Sequence, residues 1–221
     1  MRLLAISDVP ERLLYDDFQP DEWRDRVDLI ISCGDLDPEY LEFLVTELNA
    51  PLLYVAGNHD TAYRVRPPEG CEDIDGRVVT VGSLRIAGMS GSMRYNAGPE
   101  AYQYTERQMA RRMRRLGWRI RWAGGIDVMV THAAPLFGDP LLDAHDIPHR
   151  GFGAFQGVLA RYRPRYWLHG HNHLIFNWVP RVKRIDATLV INAYGHYEID
   201  TDNPPRPLPI VADPSTLLRP T

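Results

Sequence analysis

Five short apolar runs, each followed closely by a polar side chain that can bind a metal ion, constrain the fold of this sequence most. They are residues 3–6 before Asp8, 27–32 before Asp35, 52–56 before Asn58, 126–130 before His132, and 166–168 before the cluster HGHNH at 169–173. Short apolar runs that are closed by polar and turn residues are typical of buried strands. The pattern therefore predicts five strands that each present a functional side chain at their carboxyl end.

Helical patterns separate these strands. Apolar residues recur at helical spacing over residues 38–48, 105–116 and 154–162. Strands that alternate with helices predict an α/β fold with central, nearly parallel sheets, whose site lies at the carboxyl ends of the strands. A β-hairpin is expected over residues 77–87, around Gly82 and Ser83. A last strand at 188–192 is expected to continue after a turn at Gly195.

Length and composition predict one globular domain over residues 1–221. The chain has 221 residues, of which 44% are apolar and 24% are charged, as in average soluble domains. A proline-rich tail from about residue 203 is expected to run extended over the surface. Two cysteines, Cys33 and Cys71, are too few for a disulfide framework or a thiolate metal site. No apolar run approaches the roughly 20 residues that cross a bilayer, and no signal-peptide pattern precedes the first strand. We therefore expect a cytoplasmic protein without membrane contacts.

The charge distribution bears on possible partners. A net charge of -4 and a pI of about 6.1 argue against a general affinity for nucleic acid. Seven arginines lie between residues 107 and 121, among apolar residues at helical spacing, and we interpret them as the solvated face of a helix. A local basic patch stays open, as does the oligomeric state.

Six residues at the predicted strand ends form a candidate metal-ligand set: Asp8, Asp35, Asn58, His132, His171 and His173. They offer oxygen and imidazole ligands without a thiolate, which suits Mn, Fe or Zn. Carboxylates that approach one another repel, so their clustering needs a cation. The sequence therefore predicts a metal centre, and this explains why histidines crowd the end of an apolar run. His169 and His196 are interpreted as structural residues.

The order of these blocks resembles the calcineurin-like metallophosphoesterases. The chain carries Gly34-Asp35, Gly57-Asn58-His59-Asp60, Thr131-His132 and Gly170-His171-Asn172-His173 in the order of that family's motifs. The resemblance implies a four-layer α-β-β-α sandwich of two mixed sheets. It also implies hydrolysis of a phosphomonoester or phosphodiester through a metal-activated water.

The resemblance assigns a role to each motif residue. Asp35 would bridge two divalent ions. Asn58, His132 and His171 would complete one site, which we call the second site, and Asp8 with His173 would hold the other, the first site. His59 would donate a hydrogen bond or proton to the leaving-group oxygen, with Asp60 or a nearby backbone group orienting it.

The first block departs from the family pattern. Residues 6–10 read ISDVP, so Pro10 stands where the family has a metal-binding histidine. We predict one or two bound ions, with a weak first site, because proline offers no ligand atom. A carboxylate from Glu11, Asp16 or Asp17 is the alternative donor. The rival interpretation of the whole chain is a catalytically weakened scaffold or interaction protein on the same fold.

Residues beyond the metal ligands are candidates for substrate contacts. Arg94 follows the hairpin, and His149 and Arg150 lie in a long loop at 138–153 after the fourth strand. Guanidinium groups match phosphate geometry. The stretch THAAP at 131–135 slightly favours a phosphodiesterase, acting on a small-molecule or nucleotide phosphoester. A serine hydrolase is excluded because GMSGS at 88–92 lacks the second glycine of the nucleophile motif.

Overall fold

The computed structural model describes residues 1–23, 25–96, 101–138, 146–173 and 180–207. Thirteen strands and four helices lie within these ranges. The strands are β1 (Arg2–Ser7), β2 (Leu29–Ser32), β3 (Leu52–Tyr54), β4 (Cys71–Asp73), β5 (Val78–Val81), β6 (Leu84–Met89), β7 (Ser92–Met93), β8 (Gln103–Tyr104), β9 (Val128–Thr131), β10 (Tyr166–His169), β11 (Val182–Ile185), β12 (Thr188–Asn192) and β13 (Gly195–Asp200). The helices are α1 (Pro20–Trp23), α2 (Pro38–Leu48), α3 (Glu106–Trp122) and α4 (Gln156–Tyr162). Short 3-10 turns lie at Arg12–Leu14, Asp60–Arg64 and Gly153–Phe155.

Two mixed sheets form the centre of the fold. The first has the strand order β13-β1-β2-β3-β4, in which only β13 is antiparallel to its neighbour. The second has the order β11-β12-β10-β9-β6-β5, with both edge strands antiparallel. The remaining strands, β7 and β8, pair in parallel beside them. The parallel central strands of each sheet place their carboxyl ends along one edge, as the sequence predicted.

The side chains of β1 point alternately to the two faces of the first sheet, and both faces are covered. Leu3 and Ala5 belong to the core between the sheets, whereas Leu4 and Ile6 pack on the outer side with residues of α2. Successive side chains of a strand point to opposite faces, so a continuous apolar run indicates burial on both. α2 begins and ends at the residues that the sequence predicted, with Pro38 in its first turn.

The second sheet is covered by α3 and α4. Four residues of α3 at helical spacing pack against the outer face of this sheet: Met109, Met113, Leu116 and Ile120. The helix starts with a capping box between Thr105 and Gln108. It ends at Trp122, beyond the predicted segment. Helix, sheet, sheet and helix layers therefore follow one another, and the predicted four-layer sandwich is confirmed.

The hairpin of β5 and β6 is confirmed, with Val81 opposite Leu84. The last predicted strand forms as two strands in different sheets. β12 joins the second sheet and β13 joins the first, because Gly195, with φ of 69°, redirects the chain between them. The sequence did not indicate β4 or β11. Most of the predicted proline-rich tail, from residue 208 onward, lies outside the described residues. Within the described ranges, every helix is too short or too polar to span a bilayer.

Candidate metal centre

The second site is built around one nitrogen atom. Nε2 of His132, at the end of β9, lies 3.2 Å from Oδ2 of Asp35, 3.1 Å from Oδ1 of Asn58 and 3.1 Å from Nδ1 of His171. These atoms come from the ends of four different strands, so the fold itself brings them together. The ligand atoms of Asp35, His132 and His171 all lie within 4.8 Å of one another.

Hydrogen bonds outside the site fix the orientation of its side chains. Nδ1 of His132 donates to the carbonyl of Cys33 at 2.8 Å, and Nε2 of His171 donates to the carbonyl of Pro148 at 2.7 Å. Nδ2 of Asn58 donates to the hydroxyl of Tyr95 at 3.3 Å. The opposite atom of each group, which can accept a proton or bind a metal, therefore faces the centre.

The electrostatics of the second site favour positive charge. Burial opposes a charged imidazole, but the Asp35 carboxylate outweighs it and raises the pKa of His132. Burial and the neighbouring His132 lower the pKa of His171. Nε2 of His132 thus lies among three atoms that can accept a hydrogen bond. A divalent cation would satisfy the same acceptors, so this donor set fits a metal ion.

The backbone is strained at three of the predicted ligands. Asp8, Asp35 and His171 adopt positive φ angles of 70°, 58° and 66°, which residues other than glycine rarely do. A Cβ at Gly57 would lie 2.1 Å from Oδ1 of Asp35, and one at Gly170 would lie 1.8 Å from Oγ of Ser7. The motif glycines are therefore required for close approach of the loops, and such strain is concentrated at functional sites.

The first site is less complete. The Asp8 side chain is 2% exposed, and both of its carboxylate oxygens accept from the backbone amide of His171 at 3.0 Å. Nε2 of His173 lies 3.8 Å from Oδ1 of Asp8, and the His173 side chain is 45% exposed. Among the residues that the structure describes, only the second site groups three or more metal-binding side chains. The structure thus groups the second-site side chains closely and places His173 beside Asp8 at a longer distance.

Two of the three carboxylates that were alternative donors for the first site have other partners. Oε1 of Glu11 lies 3.6 Å from Nδ1 of His196, and Asp17 forms an ion pair with Arg12 at 3.0 Å. Asp16 is exposed. Pro10, also exposed, begins the loop that leads to these residues.

Comparison with known proteins decides the family. The sequence profile of the calcineurin-like phosphoesterase superfamily domain matches residues 1–205. The chain belongs to the calcineurin-like phosphoesterase superfamily. No curated protein matches its sequence.

Solved structures resemble this superfamily member in fold. The protein TT1561 of Thermus thermophilus has 15% sequence identity and a TM-score of 0.60, and the alignment covers 87% of this chain and 88% of that one. Another crystal structure has 13% identity and a TM-score of 0.63, with coverage of 95% and 98%. An archaeal phosphodiesterase has 15% identity and a TM-score of 0.47, with coverage of 94% and 99%. At these identities the first two structures show a likeness of fold alone.

His59 and Asp60 take different positions in this calcineurin-like domain. The His59 side chain is exposed, while its backbone amide donates to Oδ1 of Asp35 at 2.8 Å. The Asp60 carboxylate is buried and accepts from the amides of Asp35 and Gly57, both at 2.7 Å. Burial and the Asp35 charge raise the pKa of Asp60 to about 7. Asp60 therefore holds the two ligand loops together, a contact that the sequence did not indicate, and its role in orienting the His59 ring stays a prediction.

The predicted substrate residues lie at different distances from the centre. The His149 ring lies with its centroid 5.0 Å from that of His171 and 5.8 Å from that of His173. Arg150 is exposed. The Arg94 guanidinium donates to the carbonyl of Gln103 at 3.2 Å, on β8. Of these three, the structure brings only His149 against the metal-binding side chains. Residues 139–145 of the long loop lie outside the described residues.

Two contributions to the site were missed in the sequence. The Tyr95 hydroxyl holds the Asn58 amide, and the Pro148 carbonyl fixes the His171 ring. Tyr95 directly follows Arg94, a predicted substrate contact, and this neighbour was the only signal in the sequence that placed Tyr95 near the site. His169 is buried at the end of β10, where burial lowers its pKa to about 3. This agrees with the structural role predicted for it.

Proposed function

We propose that this chain is a metal-dependent phosphoesterase that hydrolyses a small-molecule or nucleotide phosphoester, with a phosphodiester slightly favoured. The observation that carries the proposal is the convergence of Asp35, Asn58 and His171 on Nε2 of His132, within 3.2 Å. Membership of the calcineurin-like phosphoesterase superfamily supports the same reaction class. The preference for a diester rests on the THAAP stretch at 131–135 alone.

The metal ligands follow from the two sites. Asp35, Asn58, His132 and His171 would hold the tighter ion, and Asp8 with His173 would share Asp35 to hold a weaker one. Mn, Fe or Zn fits these oxygen and imidazole donors. Bound there, divalent ions supply Lewis acidity, which activates water and neutralises the charge on phosphoryl oxygens.

His59 is the proposed acid. Its backbone amide is tied to Asp35 and its side chain is exposed at the same edge of the sheet, where a bound ester could meet the imidazole. There it would donate a proton to the departing oxygen. The buried Asp60 carboxylate would hold the loop that carries His59 against the loop that carries Asp35.

The decisive experiment combines turnover with metal analysis. Purified protein is assayed on an aryl phosphodiester and an aryl phosphomonoester with added manganese, and bound metal is measured by elemental analysis. We expect turnover, and we expect His59→Ala to lower kcat by roughly 10²- to 10⁴-fold with metal content unchanged. His196→Ala, which removes a histidine outside both sites, is the matched control. An unchanged rate in His59→Ala on both esters would exclude His59 as the acid.

The scaffold interpretation is the second candidate, and the incomplete first site favours it. Asp8 and His173 lie 3.8 Å apart, with Pro10 where a further ligand would stand. A scaffold of this kind would retain an ion in the second site and show no turnover of any ester, even in excess manganese. Turnover that disappears with chelator and returns with metal would exclude it.

The proposed substrate contacts are His149, Arg150 and Arg94. Because His149 packs beside two ligand histidines, we expect His149→Ala to lower kcat/KM most, followed by Arg150→Ala and Arg94→Ala. Metal stoichiometry should stay constant in all three. Loss of bound metal in His149→Ala would show that this residue supports the ligands instead of the substrate.

A further inference from the structure

A basic groove lies on the outer face of the second sheet, between α3 and α4. Its volume is about 1010 Å³. Small residues are part of its lining on both helices, and Tyr162 of α4 donates a hydrogen bond across it to the carbonyl of Gly117 at 2.8 Å. We call this feature the α3–α4 groove. Its arginines are Arg107, Arg111, Arg114, Arg121 and Arg161.

These arginines are free to bind an anion. All five are exposed, and within the described part of the chain none of them forms an ion pair. The single acidic residue of α3, Glu106, instead accepts from the amide of Ala154. From Arg107 to Arg121 the stripe extends over about 21 Å, at 1.5 Å per helical residue. The groove therefore presents a row of unneutralised positive charges.

An exposed aromatic ring lies within the row. The Trp118 side chain lines the groove and is 65% exposed, although an indole is normally buried in a folded protein. Arginines that track a phosphate backbone, with aromatic rings on which bases stack, are the combination that single-stranded nucleic acids require. Acidic side chains alone, as in polyglutamate, would satisfy the arginines but would give no partner to the ring.

The net negative charge of the chain does not oppose this binding. The other outer layer contains α2, which carries Glu39, Glu42 and Glu47 and no basic residue, and Arg66 pairs with the first two. Two sheets about 10 Å apart separate that layer from the groove, and salt screens charges beyond about 8 Å at physiological ionic strength. The local charge of the groove therefore governs what it binds.

We propose that the α3–α4 groove binds single-stranded nucleic acid, with the arginines on the phosphates and Trp118 against a base. This site is independent of the metal centre and of the function proposed for it. It revises the interpretation of the arginine-rich segment as a solvated face only.

The test is binding of a fluorescent oligothymidylate of about 16 nucleotides, measured by anisotropy in EDTA so that no metal acts. If five arginines contact phosphates, the logarithm of affinity should fall with that of salt with a slope of about -3.5. Affinity should then drop roughly 100-fold between about 50 and 200 mM salt. Arg111→Ala/Arg114→Ala should reduce the slope by about 1.4. The double variant Arg115→Ala/Arg184→Ala, which removes two exposed arginines outside the groove, should preserve the slope.

A tryptophan pair tests the stacking contact. Trp118→Ala should weaken binding at least about fivefold, whereas Trp122→Ala, which removes an exposed ring that does not line the groove, should not. Three results would overturn the proposal: no salt-dependent binding, equal competition by polyglutamate, or equal affinity in Arg111→Ala/Arg114→Ala. Self-association at low salt that this variant abolishes, without oligonucleotide binding, would identify the acidic layer of a second copy as the occupant and would also overturn it.

Discussion

The two halves of the candidate metal centre differ in how closely their ligands approach one another and in how firmly those ligands are held. In the second site, three ligand atoms lie within 3.2 Å of Nε2 of His132, and outside hydrogen bonds fix both imidazole rings. In the first site, Asp8 and His173 lie 3.8 Å apart, and the His173 ring is 45% exposed. Preorganisation of the ligands, more than the number of motif residues, therefore distinguishes the two sites.

The difference has a local cause. His132 follows β9 directly and is buried, so its ring is held by packing as well as by the Cys33 carbonyl. His173 lies beyond the end of β10, and its ring contacts are the rings of His149 and Tyr194. A ligand that must be ordered on binding loses conformational entropy, which lowers affinity. We therefore expect one tightly held ion and one weakly held ion.

The largest effect should follow removal of the central ligand. His132→Ala deletes the nitrogen on which the second site converges and leaves the Asp35 charge without its partner. We expect loss of the tightly bound ion and a fall in kcat/KM on the order of 10³-fold. Elemental analysis and steady-state kinetics measure the two effects. His196→Ala again serves as the control for loss of a histidine.

Retention of the tight ion in His132→Ala would contradict this expectation. The first site would then be the stronger one, and the order of filling would be reversed. The thermal stability of His132→Ala should be measured in parallel, because His132 is buried and its replacement leaves a cavity.

Substitution of a first-site ligand should have a smaller effect than His132→Ala. Asp8→Asn removes a carboxylate charge from a site with few ligands, so activation by added manganese should require roughly 10- to 100-fold more metal. The tightly held ion should stay, since Asp8 is not within the second site. Pro10→His should shift the activation curve in the opposite direction. If Asp8→Asn instead releases the tight ion, the two sites form one cooperative unit.

The positions of the candidate ligands could be predicted from the sequence, because each ligand follows the end of a strand. A strand that is buried on both faces reads as an apolar run, and its end fixes the position of the next polar residue, as for Asp35 and His132. The motif order then indicated the family and the four-layer fold. Pro10 is the feature of the sequence from which we predict a weaker first site.

Other features depend on contacts between distant loops, which no local pattern encodes. Asp60 was one of two candidates for orienting His59, and no sequence pattern indicated that the amides of Asp35 and Gly57 meet its carboxylate. The Pro148 carbonyl meets His171 only because the loop at 146–150 lies over the site. The crossing of β13 into the first sheet likewise depends on pairing with β1, which lies at the opposite end of the sequence.

The smallest effect should come from Tyr95→Phe, which tests whether the second site owes its strength to its supporting hydrogen bonds. The Tyr95 hydroxyl accepts from Nδ2 of Asn58 at 3.3 Å and so directs Oδ1 toward His132. Loss of one such bond costs about 0.5–1.5 kcal/mol, which corresponds to a roughly two- to tenfold faster release of the tight ion. Tyr15→Phe is the control, because Tyr15 is similarly exposed and packs on Tyr40 and Phe43 instead of on a ligand. Release is measured by transfer of metal to a chromogenic chelator. A shift in manganese activation without faster release would place Tyr95 at the first site, and the supporting bonds would no longer explain why the second site is stronger.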